Sequence, residues 1–156
     1  MNNLKTAFVG LGVMGYPMAG HLARNGYSIS VFNRSRDKSE RWVGEHQGNV
    51  TCTPREAAEN ADLVFVCVGN DQDVRSVIYG ENGVLAGLKA GAILVDHTTT
   101  SAQLALELGK ACAEVGAHFI DAPVSGGQAG AENGCLTIMC GGDEQVFQQA
   151  APIMNS

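Results

Sequence analysis

The sequence predicts a doubly wound α/β domain: a mostly parallel sheet with helices on both faces. Three observations carry this. Short apolar β-rich runs alternate along the chain with stretches of helical period. Runs such as LVFV (63–66) and AILV (92–95) are apolar without interruption, as strands covered on both faces must be. Three glycines, Gly10, Gly12 and Gly15, fall between the first run and the first helical stretch.

The elements follow in order. Residues 6–9 read as the first strand. Met14, Met18 and Leu22 then recur every fourth residue, and Gly26 stands where a helix would end on a left-handed residue. Residues 28–32 form the second strand. Thr53, Pro54 and Glu56 combine a capping box with a proline at the first helical position, so a helix begins there. Strands follow at 63–66 and 92–95. Thr100 and Gln103 make a second capping box, followed by an apolar stripe of Leu104, Leu108, Ala111, Cys112 and Val115 closed by Gly116. The last strands are expected at 118–120 and 136–139. No linker, repeat or low-complexity segment divides the chain, so residues 1–156 read as one domain.

Composition excludes several function classes. A net charge of −6 without a basic cluster argues against nucleic acid or an anionic membrane as partner. No apolar stretch reaches the length of a membrane span, and the glycine-broken N-terminal run is not a signal sequence. Five cysteines, an odd number, form no C-x-x-C pair, which suggests reduced thiols and a cytoplasmic location. Cys67 and Cys112 read as buried packing residues, and Cys135 and Cys140 lack the further ligands a metal site needs.

The glycines have separate physical tasks. In strand–G-x-G-x-x-G–helix, Gly10 permits a tight turn, Gly12 lets a diphosphate approach the backbone, and Gly15 lets the helix pack on the sheet. The first helical N–H groups then face the phosphates, so the expected contacts come from the backbone of Gly10, Leu11, Gly12, Val13, Met14 and Gly15. No G-K-[ST] follows, so this is not a nucleoside-triphosphate loop. The pattern implies a nicotinamide coenzyme in a Rossmann-type domain.

The end of the second strand bears on which one. An NAD-binding domain places a carboxylate about 20 residues past the loop. Here the position is Asn33, followed by Arg34 and Ser35. Asn33 can bond a ribose hydroxyl without repelling a 2′-phosphate, Arg34 can stack on adenine or pair with that phosphate, and Ser35 can donate to it. The residues favour NADP(H) over NAD(H), against the alternative that Arg34 is a solvated surface residue.

Four motifs in order, GLGVMGYPMAGHL, FNRS, DHTTTS and DAPVSGG, resemble the β-hydroxyacid dehydrogenase family. That group includes 3-hydroxyisobutyrate dehydrogenase, tartronate semialdehyde reductase and the succinic/glyoxylic semialdehyde reductases. The resemblance implies that Thr99 contacts the coenzyme near the nicotinamide. It makes Ser125, Gly126 and Gly127 a substrate loop, and it places Val68 and Gly69 against the coenzyme after a strand. A serine hydroxyl and exposed backbone N–H groups suit the carboxylate of a small hydroxy acid.

The family's general acid/base is a lysine in G-x-x-x-K-x-x-x-N, beyond the dinucleotide domain. No such stretch occurs here, and no lysine follows Lys110. The expectation is therefore a coenzyme domain without the helical catalytic and dimerisation domain, of low activity alone and with no catalytic residue of its own. The parent is expected to be a homo-oligomeric oxidoreductase acting on a small molecule. His97 is the best substitute proton carrier, against a structural role that suits it better. His21, His46 and His118 show no partner in the sequence, and Asp96 and Asp121 read as caps at strand ends. A non-catalytic dinucleotide module, or a relative of 6-phosphogluconate dehydrogenase or the imine reductases, is the competing reading.

Overall fold

A computed structural model describes residues 4–155. The elements run β1 (Lys5–Val9), α1 (Gly15–Arg24), β2 (Ser28–Phe32), α2 (Arg36–Glu45), β3 (Asn49–Val50), α3 (Pro54–Ala58), β4 (Leu63–Val66), α4 (Asp71–Ile78), α5 (Val84–Gly87), β5 (Ile93–Asp96), α6 (Ala102–Glu114), β6 (His118–Asp121), β7 (Val124–Ser125), α7 (Gly127–Glu132), β8 (Thr137–Ile138) and α8 (Glu144–Met154). Six parallel strands stand in the order β3-β2-β1-β4-β5-β6. The strand order reverses between β1 and β4, and the crevice beyond the carboxyl ends of those two strands is where an open α/β sheet accepts a ligand.

Both faces of the sheet are covered, as the unbroken apolar runs require. All four residues of β4 and all four of β5 are buried. Phe8, Phe65, Leu22, Trp42, Ile120 and Ile153 pack on one face, and Val9, Val64, Leu94, Leu104, Leu108 and Cys112 on the other. The rings of Phe8 and Phe65 stack with centroids 5.9 Å apart. The largely polar helix α2 is held by Trp42, which is fully buried and donates Nε1–H to the Tyr16 carbonyl at 3.2 Å.

Local signals behave mostly as written in the sequence. Gly26 (φ +87°) and Gly116 (φ +77°) follow the ends of α1 and α6 in the left-handed region. Thr53 Oγ1 accepts the Glu56 N–H at 3.1 Å, while Glu56 Oε2 takes the Cys52 N–H at 3.1 Å. The second cap falls one residue later than expected. Ser101, not Thr100, accepts the Leu104 N–H at 3.1 Å. Ser101 Oγ also donates to Asp71 Oδ2 at 2.5 Å, a partner that fixes the choice among consecutive hydroxyl residues. Those Ser101 bonds hold the Asp71 carboxyl below the usual range. Val115, expected on the buried stripe of α6, is instead its C-cap and 40% exposed.

The segment 136–139 does not join the parallel sheet. Thr137–Ile138 pairs antiparallel with Val124–Ser125 in a separate two-stranded ribbon. Its alternation of half-buried Leu136 and Ile138 with exposed Thr137 and Met139 is that of a strand covered on one face only. The main-chain N–H groups of Asp121 and Gly141 bond each other's carbonyls, at 2.9 and 2.7 Å, and so lash the ribbon's return to the end of β6. No helix of the described residues is long and apolar enough to cross a membrane, and no group of three or more metal-ligating side chains occurs among them.

Candidate dinucleotide site

The turn after β1 is built by close approach. Gly10 has φ +102°, and a Cβ there would lie 2.1 Å from the Cys67 carbonyl oxygen on the neighbouring strand end. A Cβ at Gly15 would lie 2.0 Å from the Gly10 carbonyl oxygen. Both positions therefore demand glycine on steric grounds within the fold itself. Gly12 differs: a Cβ there would meet nothing within 4 Å, so its lack of a side chain serves no internal packing. The backbone N–H groups of Gly12, Val13 and Met14 donate to no acceptor among the described residues. Helix α1 has no side-chain cap at Met14. Open donors, open space and an uncapped helix start coincide at one place, which is what an approaching phosphate needs.

Asn33 sets this loop in position. Its Oδ1 accepts the Leu11 N–H at 2.9 Å and its Nδ2 donates to the Ser35 carbonyl at 3.1 Å. Strand two is thereby tied to the glycine turn by an amide, which donates and accepts at once where a carboxylate could only accept. The side chain of Leu11 is fully buried, so only its backbone faces the turn, whereas Val13 is 62% exposed.

A cavity of about 310 Å³ opens beside the turn and brings together Gly10, Asn33, Arg34, Ser35, Val68 and Gly69, six of the residues singled out in the sequence. It also draws in Lys38, Asp73, Ser76 and Val77, which sequence reasoning missed. Lys38 comes from the first turn of α2 and the other three from α4. A 3.6-residue count from Ser35 would have put Lys38 over the helix start, but nothing local in the sequence aims α4 at it.

The polar groups around this cavity are unspent. Arg34 and Lys38 are exposed and have no carboxylate partner among the described residues, while Arg36, Arg41, Arg55, Arg75 and Lys89 are all ion-paired. Ser35 is the N-cap residue of α2, yet its hydroxyl makes no capping bond. Two free cations, a free hydroxyl and a helix N-terminus are the groups from which an anion site can be built. Cys67 lines the same cavity instead of lying wholly in the core, and burial pushes its thiol up to about 12, so it is no nucleophile.

The remaining predicted residues lie outside this cavity. Thr99 is exposed just beyond β5. Ser125 is exposed in β7, and Gly126 (φ +133°) and Gly127 (φ +64°) carry the chain into α7. The segments carrying them are tethered where they leave the sheet: Thr98 Oγ1 accepts the Val68 N–H at 3.0 Å, and the Ala122 N–H reaches the Asp96 carbonyl at 2.8 Å. Three buried side-chain oxygens without a partner gather at these strand ends: Asp96 Oδ2, Thr100 Oγ1 and Asp121 Oδ1. Asp96 and Asp121 are register neighbours across β5 and β6. Asp96 caps its own turn through the Thr98 N–H at 2.9 Å.

His97 is packed, not poised. It is 3% exposed, stacks on Phe65 at 5.6 Å, and bonds the Ala122 carbonyl through Nδ1 at 2.8 Å. It lines a second cavity of about 230 Å³ that shares no residue with the first. His21 does have a partner, 110 residues away: Nε2 bonds the Ala131 carbonyl at 2.8 Å while Nδ1 meets Arg24. His46 packs on Trp42 at 5.0 Å, and burial lowers its pKa.

Adjacent Asp96 and His97 give opposite pH dependences. Burial, resisted by the Ala122 bond, lowers His97 from 6.5 to about 4. The unfolded chain thus takes a proton in that interval that the folded chain refuses. Stability from this source is present above 6.5 and lost as pH falls towards 4. Burial, opposed by the Thr98 bonds and aided by Asp121, raises Asp96 from 3.8 to about 6. Its contribution is present below 3.8 and lost as pH rises through 6. The two largely cancel between pH 4 and 6. Urea unfolding of Asp96→Asn should therefore show stability falling faster than wild type on acidification through this interval, by up to about 1.4 kcal/mol per pH unit. Parallel profiles would contradict the assignment.

Comparison with known proteins agrees with the geometry. Residues 5–156 match the family model described as the NAD binding domain of 6-phosphogluconate dehydrogenase. An uncharacterized oxidoreductase of Shewanella frigidimarina is 52% identical over 97% of this chain and 52% of its own length. A probable 3-hydroxyisobutyrate dehydrogenase-like protein (mitochondrial) of Arabidopsis thaliana is 43% identical over 99% of this chain and 46% of its own. The solved structure of Psf3 in complex with NADP+ and 2-OPP superposes with a TM-score of 0.90 at 30% identity, covering 96% of this chain and 53% of that one. The chain thus spans about half the length of the curated relatives it matches.

Proposed function

Because the chain belongs to the family of 6-phosphogluconate dehydrogenase NAD-binding domains, we propose that it is the coenzyme-holding part of an NADP(H)-dependent oxidoreductase acting on a small β-hydroxyacid or its semialdehyde. The observation that carries the coenzyme half is the contrast within the glycine turn. Gly10 and Gly15 are filled by neighbouring backbone, and Gly12 is left open beside three unused N–H donors.

The residues present fit the coenzyme. The N–H groups of Gly12, Val13 and Met14 would hold its diphosphate, Asn33 would keep the turn in register, and Val68 and Gly69 would flank the adenosine. Arg34, Lys38 and the Ser35 hydroxyl would hold a 2′-phosphate, which makes NADP(H) the better fit and NAD(H) the weaker one. That Psf3 was solved with NADP+ supports this choice. Thr99 would meet the nicotinamide side. Bound there, the coenzyme supplies the acceptor or donor of a hydride.

The substrate half rests on the likeness to 3-hydroxyisobutyrate dehydrogenase-like relatives and on the Ser125–Gly126–Gly127 loop, whose hydroxyl and N–H groups would hold a carboxylate. Oxidation of such a substrate removes a hydride from the hydroxyl-bearing carbon and a proton from its oxygen, so a base is needed. His97 is packed away and the thiol of Cys67 is held protonated. None of the groups described here takes that role. The 156-residue chain alone should bind coenzyme with little turnover. Parallel fluorescence titrations with NADPH and NADH test the reading, with NADPH the tighter ligand. Tighter binding of NADH would overturn the NADP(H) preference, and no binding of either would overturn the function.

A further inference from the structure

The wall of the coenzyme cavity facing α4 carries a feature a polyanion site should not need. Asp73, a carboxylate residue, is part of its lining. The backbone of Asp73 is fixed: Asn70 Oδ1 accepts its N–H at 2.8 Å, and its carbonyl takes the Ser76 hydroxyl at 2.7 Å. Its carboxylate is not fixed by any donor, since neither oxygen accepts a hydrogen bond from a described residue or pairs with a cation. Oδ2 lies against Gly69, where an added Cβ would come 2.5 Å from it. Arg34 and Lys38 line the same cavity and are themselves unpaired. The negative charge thus sits with cations in one cavity, with both oxygens open to a donor.

We propose that Asp73 is a base-specificity residue that accepts a hydrogen bond from the 6-amino group of the coenzyme's adenine. The proposal rests on the coenzyme reading above. With the 2′-phosphate on Arg34, Ser35 and Lys38, the base lies one sugar away, among the apolar side chains of Val68 and Val77. A carboxylate only accepts hydrogen bonds, so the ring edge that meets it must donate. Adenine offers an amine there. A 6-oxopurine offers a carbonyl at that position, which would set two acceptors against each other, and its own donor, N1–H, lies one ring atom away, so the carboxylate regains a partner only if the base shifts. Asp73 stands in the first turn of α4, where a carboxylate complements the helix dipole, and a donor on the base gives the same charge a second use inside a cavity that takes a phosphorylated ligand.

The test compares NADPH with its deamino analogue, in which hypoxanthine replaces adenine, on the full chain by calorimetry or fluorescence. Wild type should bind NADPH about tenfold more tightly than the analogue, the size expected for one charge-assisted hydrogen bond. Asp73→Ala should bring the ratio close to one. Asp73→Asn, isosteric and able to donate to a carbonyl as well as accept from an amine, should narrow the ratio while keeping the first turn of α4 intact, so it carries the test if the alanine variant folds poorly. An unchanged ratio in both variants would overturn the role of Asp73, including the case where both ligands bind equally more tightly because a charge has gone. Wild type that binds NADPH but shows no preference also overturns it while leaving the coenzyme reading in place. Failure of wild type to bind NADPH at all would remove both.

Discussion

Gly12→Val should fold as wild type does and lose NADPH. In the coenzyme-free protein the position is open: a Cβ meets nothing within 4 Å, and Gly12 is not among the residues with left-handed φ. Replacing glycine where the backbone already suits other residues narrows the unfolded ensemble, so stability should change by less than about 1 kcal/mol, with a slight gain as the favoured sign. The same space is where a diphosphate must come against the N–H groups of Gly12, Val13 and Met14. A branched side chain there removes those contacts and adds a clash, and NADPH affinity should fall about a hundredfold or more, the loss of two or more charge-assisted hydrogen bonds. Gly10→Ala is the instructive contrast. Its Cβ would collide with the Cys67 carbonyl oxygen at 2.1 Å, and φ is +102°. That variant should lose several kcal/mol of stability, and its loss of binding would report only unfolding. Thermal melts with and without NADPH separate the two. Gly12→Val that still gains thermal stability with NADPH as wild type does would contradict the cradle.

The double variant Arg34→Ala/Lys38→Ala should lose NADPH affinity about a hundredfold while NADH binding changes by less than about threefold, because each cation contributes a charge-assisted contact to one phosphate. The asymmetry is the diagnostic. Neither cation has an ion-pair partner among the described residues, so removing them strands no carboxylate and the fold should be unaffected. The NADPH affinity of wild type should also fall more steeply with salt than that of NADH, since the extra contacts are exposed charges. Equal losses for both coenzymes would place Arg34 and Lys38 on the diphosphate or the base instead of the 2′-phosphate, and no loss would make them surface residues.

The sequence displays the frame of this site and conceals its closure. Doubly buried strands such as LVFV carry their environment in their composition, and Gly10, Gly12 and Gly15 carry theirs in their spacing, because both depend on neighbours close along the chain. Arg34 and Ser35 were legible for the same reason. Lys38 depends on helical phase, and Asp73 on how α4 crosses back at the point where strand order reverses, so neither is marked locally. The sequence marks Asn33 as a candidate ligand contact, whereas its bond to the Leu11 N–H belongs to the junction of two strands. The cap of α6 moved from Thr100 to Ser101 because Asp71, 30 residues earlier, selects one hydroxyl among several. His21 has no partner in the sequence around it because its acceptor, Ala131, lies 110 residues along the chain.

The most direct measurement is an amide-resolved NMR titration of the isotope-labelled chain with NADPH. The largest shifts are expected at the N–H groups of Gly12, Val13 and Met14 and at Arg34 and Ser35, with Lys38 and Asp73 next. Shifts confined to the second cavity, around Phe8, Leu22 and Phe147, or none at millimolar NADPH, would contradict the coenzyme site.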